Sequence, residues 1–283
     1  MVTPTTAEIA GGRGNDEYFV QGAGVLPRET ADGGVDTVYA EGSFVLPEHV
    51  ERLIKVRGTD VELTGNDGPN VILAGRIMSG MGGDDALLAS DAAILLGGAG
   101  NDVLTGLRGA DFLDGGDGDD VLNGGAGDDV IVWSAGNDTI GGGADIDLVD
   151  YSTSPVPINV DLTKRSAVLA GEVDVVSGIE NIDGTAGDDI IVMNALDNLI
   201  APGLGSDIID GRAGNDTIIL PTAIRAEDVT VAAHRQQVEF VYDLDGVTYK
   251  VTVKRVEMVQ FGDGSMQLIE QLLVPAQPML DTP

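Results

Sequence analysis

The chain has 283 residues, of which 41 are glycine, about twice the usual share, while aromatic residues make up 4 %. A core of packed rings is excluded, so backbone geometry must set much of the fold. Asp and Glu number 47 against 15 Lys and Arg, a formal charge of −32. Nucleic acid and anionic lipid are therefore repelled at long range and cations attracted. A hydrophobic content of 43 % excludes plain acidic disorder. With no cysteine there is no disulfide, thiolate metal site or Cys nucleophile. No apolar run is long enough for a transmembrane helix. The opening MVTPTTAEIAGG lacks the basic and apolar regions of a Sec signal, so export would need another address.

In chain order, residues 1–96 open with GGRGNDEYF (Gly11 to Phe19) and continue through strand-like pieces. These are DTVYA (Asp36 to Ala40), FVLP (Phe44 to Pro47) and VELTG (Val61 to Gly65), followed by GNDGPNVIL and GMGGDDALL (Gly80 to Leu88). They predict degenerate rungs with inserted loops. Residues 97–150 are uninterrupted nonapeptides: GGAGNDVLT, GLRGADFLD, GGDGDDVLN, GGAGDDVIV, WSAGNDTIG and GGADIDLVD. Residues 151–183 read as an irregular β connector in which Ile158, Val160 and Leu162 alternate. The nonapeptides resume over 184–219 as GTAGDDIIV, MNALDNLIA, PGLGSDIID and GRAGNDTII. From 220 to 270 the grammar changes to longer strands, with Asp245-Gly246 as a hairpin turn. This stretch holds Arg225, Arg235, Lys250, Lys254 and Arg255 and reads as an antiparallel β cap for a solenoid end. Residues 271–283 form a weakly charged tail.

The nonapeptide units share a sixth residue, Asp102, Asp111, Asp120, Asp129, Asp138, Asp147, Asp189, Asn198, Asp207 and Asp216. The eighth residue is Leu, Ile or Val in every unit. Glycines supply the positive φ of a tight turn, and the triplet around the eighth residue supplies a short strand with one side chain inward. Two units make one coil, so residues 18 apart stack at about 4.8 Å, the spacing of neighbouring strands. Carboxylates stacked so closely repel, and a divalent cation between coils turns that repulsion into a cross-link. The donors are hard oxygens, which suit Ca²⁺; Mg²⁺ requires tighter octahedral geometry and Zn²⁺ prefers His or Cys.

The pattern G-G-x-G-x-D-x-U-x resembles that of the RTX (repeats-in-toxin) calcium-binding family. The resemblance implies a right-handed parallel β-roll or β-helix solenoid, all-β, with Ca²⁺ held by sixth-position Asp and turn carbonyls of adjacent coils. On this sequence it implies sites at Asp102/Asp120, Asp120/Asp138, Asp111/Asp129, Asp129/Asp147, Asp189/Asp207 and Asn198/Asp216, about six ions in all. The last should be weaker, since Asn brings no charge. Departures fall at Asp145 and Leu196, in place of the fourth Gly, and at Trp133, Met193 and Pro202, in place of the first. The resemblance also implies type I export with an uncleaved C-terminal signal, which residues 271–283 match loosely, and a secreted or cell-surface location.

Catalytic signatures are not found. His49 and His234 are isolated, with no H-E-x-x-H, and there is neither G-x-S-x-G nor a P-loop. Each His reads as a surface or loop residue. Seventh-position Val103, Val121 and Thr139, and Phe112, Val130 and Leu148, form outward ladders. These reflect β-propensity, cover by loops, or a docking face. The expected function is a non-enzymatic, calcium-folded surface or matrix protein, adhesin or toxin-like factor. Its partners would be calcium, the type I apparatus and a surface or polysaccharide target, not nucleic acid. The alternative is the C-terminal folding and export module of an RTX enzyme.

Overall fold

The computed structural model describes residues 7–21 and 25–273. Most of the tail expected to carry an export signal, residues 274–283, lies outside the described residues. Two compact units divide the chain: one takes residues up to Asp150 together with Glu172–Ile179, the other takes Tyr151–Gly171 and everything from Glu180. Helix among the described residues is limited to Ala226–Asp228 and Ile269–Leu272. Among the described residues no helix is long and apolar enough to cross a membrane.

The first unit is a parallel β-solenoid with two faces. One face stacks Glu17–Val20, Thr37–Ala40, Arg52–Lys55, Val71–Leu73, Ala86–Leu88, Val103–Thr105, Val121–Ala126, Thr139–Ala144 and Glu172–Ser177. The other stacks Phe44–Val45, Glu62–Thr64, Ile77–Gly82, Ile94–Ala99, Phe112–Asp117, Val130–Val132 and Leu148–Asp150. The register is the one the repeat dictates: Leu104 faces Leu122 and Leu122 faces Ile140, while Leu113 faces Ile131 and Ile131 faces Val149. Strands are short because each repeat supplies one inward side chain, and its two neighbours point outward. Val103–Thr105 therefore alternates exposed, buried, half-buried. The inward aliphatics are at most 1 % exposed, each contributing about 1.5–3 kcal/mol of burial.

Strands between residues 37 and 79 form rungs of the same solenoid, with coil lengths that vary. Acids hydrogen-bonded from rung to rung lie 20 residues apart at Asp16 and Asp36, and 15 apart at Asp36 and Glu51. Between the rungs Glu17–Val20 and Thr37–Ala40 the added chain includes Val25–Arg28, which pairs in parallel with Ala7–Ala10 ahead of the first rung.

In the second unit, Ile158–Asp161, Ile190–Val192, Ser206–Asp210 and Val247–Lys254 pair in parallel. Asn181–Asp183, Leu199–Ala201, Thr217–Ile219 and Met258–Gln260 pair in parallel on the other face. Antiparallel strands do close this unit: Val247–Lys254 turns through Asp245 (φ 52°) and Gly246 (φ 80°) onto Gln237–Leu244, which pairs with Thr230–His234. Yet Val247–Lys254 and Met258–Gln260 are also rungs, so the antiparallel segment is fused into both faces rather than laid across them. Two of its basic residues, Lys254 and Arg255, converge with Arg212 on Asp210.

Candidate metal centre

Nine of the sixth-position residues immediately precede their strands, at the corner where the turn meets the sheet, and Asp207 is the second residue of Ser206–Asp210. All ten are between 0 and 3 % exposed. The corner repeats, so the side chains form columns. In the first unit one column runs Asp102, Asp120, Asp138 and the other Asp111, Asp129, Asp147. In the second, Asp189 stands under Asp207 and Asn198 under Asp216.

One carboxylate oxygen has a structural task. Oδ1 of each acid accepts the backbone N–H of the residue one coil earlier: Asp102 N to Asp120 at 2.7 Å, Asp120 N to Asp138 at 2.9 Å, Asp111 N to Asp129 at 2.8 Å and Asp129 N to Asp147 at 3.0 Å. Asp189 N donates likewise to Asp207 at 3.0 Å, and Asn198 N to Asp216 at 3.0 Å. The second oxygen is left over. Oδ2 of Asp102, Asp111, Asp120, Asp129, Asp207 and Asp216 is buried without a hydrogen-bond partner, as is Oδ1 of Asn198. A buried anion oxygen with nothing to hold is costly.

Hard oxygen donors share its space. The side of Gly97 that a Cβ would fill is occupied by Oδ2 of Asp102 and the carbonyl oxygen of Gly115. The same pairing recurs at Gly106 with Asp111 and Gly124, and at Gly211 with Asp216 and Arg255. At Gly184 a Cβ would stand 2.5 Å from the Pro202 carbonyl and 2.7 Å from Asp189 Oδ2. Glycine at the first position is thus required to let carboxylate and carbonyl oxygens converge. This donor set fits a hard divalent cation.

The ten corners are not equivalent. Ser134 follows Trp133, which stands in place of the first glycine, and its hydroxyl donates to Asp138 Oδ2 at 3.0 Å. Asp189 is satisfied twice over by Thr185, through N–H at 2.7 Å and hydroxyl at 2.9 Å. Asn198 spends its amide on the Glu180 carbonyl at 2.7 Å and Asn194 at 3.2 Å. Of the positional departures, Asp145 takes the fourth glycine's place with φ 79°.

Burial dominates the electrostatics. It pushes Asp120 up to about 7, against the lowering effect of the Asp102 N–H and with help from the charges of Asp138 and Asp102. Burial likewise raises Asp111 and Asp216 to about 6 and Asp207 to about 8. Asp102, Asp129, Asp138 and Asp189 are raised for the same first reason.

The columns run further than the repeat pattern indicated. Asp85 Oδ1 accepts Asn70 N at 2.7 Å, and Asp85 N donates to Asp102 at 2.7 Å. Asp174 accepts Asp138 N at 3.1 Å and Glu257 accepts Asp216 N at 2.9 Å. Asp85 and Asp174 each keep a buried, unpartnered Oδ2 and are raised to about 7 by burial. Asp85 is the sixth residue of GMGGDDALL. Asp174 and Glu257 lack a glycine turn, and their signal is only an acid two places before a buried Val, Val176 or Val259.

Comparison with known proteins agrees with this geometry. The model of the RTX calcium-binding nonapeptide repeat matches in four copies, at residues 96–131, 134–149, 175–192 and 197–220. These four segments hold all ten corner residues from Asp102 to Asp216 and are similar to the RTX calcium-binding nonapeptide repeat. No curated protein matches the chain. Among solved structures, the extracellular lipase LipA from Serratia marcescens aligns at 12 % identity over 80 % of this chain and 43 % of the lipase, with a TM-score of 0.16. This chain thus spans less than half of that lipase's length, and so low a score carries no argument.

Proposed function

We propose that this is an exported protein whose solenoid folds on extracellular calcium and serves as a non-enzymatic surface, matrix, adhesin or toxin-like factor. The observation that carries this reading is the row of buried, unpartnered Oδ2 atoms lying beside turn carbonyls. Asp102, Asp111, Asp120, Asp129, Asp207 and Asp216 would be the principal calcium ligands, with turn carbonyls such as those of Gly115 and Gly124. Asp138, Asp147, Asp189 and Asn198 would complete about six sites, the Asn198 corner being the weakest because its amide is engaged and uncharged. Bound calcium would supply positive charge between stacked carboxylates.

The chain's own residues do the rest. At cytosolic calcium the stacked acids repel, which keeps the chain expanded and fit for passage through a type I channel. At millimolar calcium outside, binding energy becomes folding energy. The outward residues Val103 and Val121, 45 % and 44 % exposed, offer an apolar strip for contact with a surface target. His234 lies 3.8 Å from Glu239.

Export is tested by co-expressing the full chain with a type I transporter and measuring protein in the medium. Removing residues 271–283 should cut secretion while leaving calcium-dependent folding of the purified chain intact. Undiminished secretion would remove the tail from the export address.

A further inference from the structure

Three carboxylates meet near the start of the first unit, away from the nonapeptide blocks. Ligand oxygens of Asp16, Glu29 and Asp36 all lie within 4.8 Å of one another. Asp36 is fully buried and Glu29 is 8 % exposed. Oδ2 of Asp16, Oε2 of Glu29 and Oδ2 of Asp36 are buried without hydrogen-bond partners. Among the described residues, no lysine, arginine or histidine pairs with any of the three.

The other oxygens hold the cluster in place. Asp36 Oδ1 accepts Asp16 N at 2.8 Å, the same rung-to-rung bond seen in the repeat columns. Glu29 departs from that scheme. It comes from chain inserted between two rungs, and its Oε1 accepts the N–H of Gly11 at 3.2 Å and the hydroxyl of Tyr18. Glycines again make the room: a Cβ at Gly11 would overlap Asp16 Oδ2, and one at Gly33 would press on Glu29 Oε2 and Asp36 Oδ2 at 3.1 and 3.2 Å. Three carboxylates with oxygens within 4.8 Å of one another repel strongly. Held oxygens with their free lone pairs converging are what a hard cation requires, and charge count raises affinity at such sites.

We propose that Asp16, Glu29 and Asp36 form a separate calcium site in which an insertion, rather than a repeat, contributes the third carboxylate. The inference shares the calcium chemistry of the proposed function but none of its residues. The site would pin the insertion to the first rungs and fasten that end of the solenoid.

The test uses the full chain and two reporters. Tyr18, bonded to Glu29, should sensitise the emission of Tb³⁺ placed at the cluster, whereas Trp133 reports on the repeat columns. Equilibrium dialysis with Ca²⁺ should find one ion fewer bound by Glu29→Gln, whose amide oxygen still accepts from Gly11 and Tyr18. The calcium midpoint read at Trp133 should be unmoved. Wild-type stoichiometry in Glu29→Gln would overturn the site and mean that the buried acids hold protons. Should that variant misfold, Tyr18→Phe keeps all three carboxylates and should lose the tyrosine-sensitised part of the Tb³⁺ emission. Unchanged emission would overturn the proposal. Failure of the repeat reading would look different: a silent Trp133 alongside a Tyr18-dependent Tb³⁺ signal.

Discussion

The backbone N–H of Asp102 donates to Oδ1 of Asp120, 18 residues on, at 2.7 Å, while Oδ2 of Asp120 stays buried without a hydrogen-bond partner. One carboxylate therefore does two separable things. Its first oxygen ties a coil to the one before it, and its second waits for a cation.

That separation predicts a graded mutant series. Asp120→Asn keeps an acceptor for Asp102 N–H but loses charge, so it should raise the calcium midpoint with little other effect. Asp120→Ala also strands the buried N–H and should cost about 1–3 kcal/mol more. Trp133, half-buried with its Nε1 out of solvent, is the reporter. Its emission should move to shorter wavelength as calcium closes the coils. Asn198→Ala should affect this signal less than either change at Asp120. An Asp120→Ala protein that titrates like the wild type would contradict the 18-residue register as the basis of binding.

Acidity offers a second check. Burial raises Asp120, Asp85 and Asp174 to about 7 and Asp207 to about 8 in the folded, metal-free chain. In the unfolded chain they titrate near 4. Protonation thus favours the metal-free fold, a contribution fully present below pH of about 4 and lost as pH climbs through the 6–8 window. In chelator, β structure should accordingly be greater at acid than at alkaline pH. Protons compete with calcium, so the calcium midpoint should rise as pH falls through the same window. A pH titration followed by circular dichroism, with and without calcium, checks both signs.

Turn geometry predicts a contrast between two glycines. Gly116 has φ 97°, and a Cβ there would overlap the carbonyl oxygen of Gly98 on the previous coil. Gly141 has an ordinary φ and nothing nearer than 3.8 Å. Gly116→Ala should cost at least about 1–3 kcal/mol from strain alone, whereas Gly141→Ala should be close to neutral. Thermal melts in saturating calcium would measure the difference.

The repeat blocks were legible because their chemistry is local. An aliphatic two places after an Asp, recurring every nine residues, specifies both the inward side chain and the corner acid. That logic points Leu104 inward, and the structure buries it. It fails where coil length varies, as between Asp36 and Glu51, because no fixed period is left to count. Asp174 and Glu257 join the columns through strand pairing alone, without the glycine turn that makes a repeat visible. Glu29 was beyond reach for a different reason: its meeting with Asp16 and Asp36 depends on how an insertion folds back. The uses of Ser134 and Thr185 as internal donors to Asp138 and Asp189 likewise depend on side-chain contact rather than pattern.

The central claim is that stacked acids make this fold conditional on calcium, and far-ultraviolet circular dichroism of the full chain in excess chelator at pH 7.5 or so tests it most directly. The account predicts loss of most β signal, cooperative recovery on adding Ca²⁺, and poor recovery with Mg²⁺. A chelated protein that keeps its full β spectrum would contradict it.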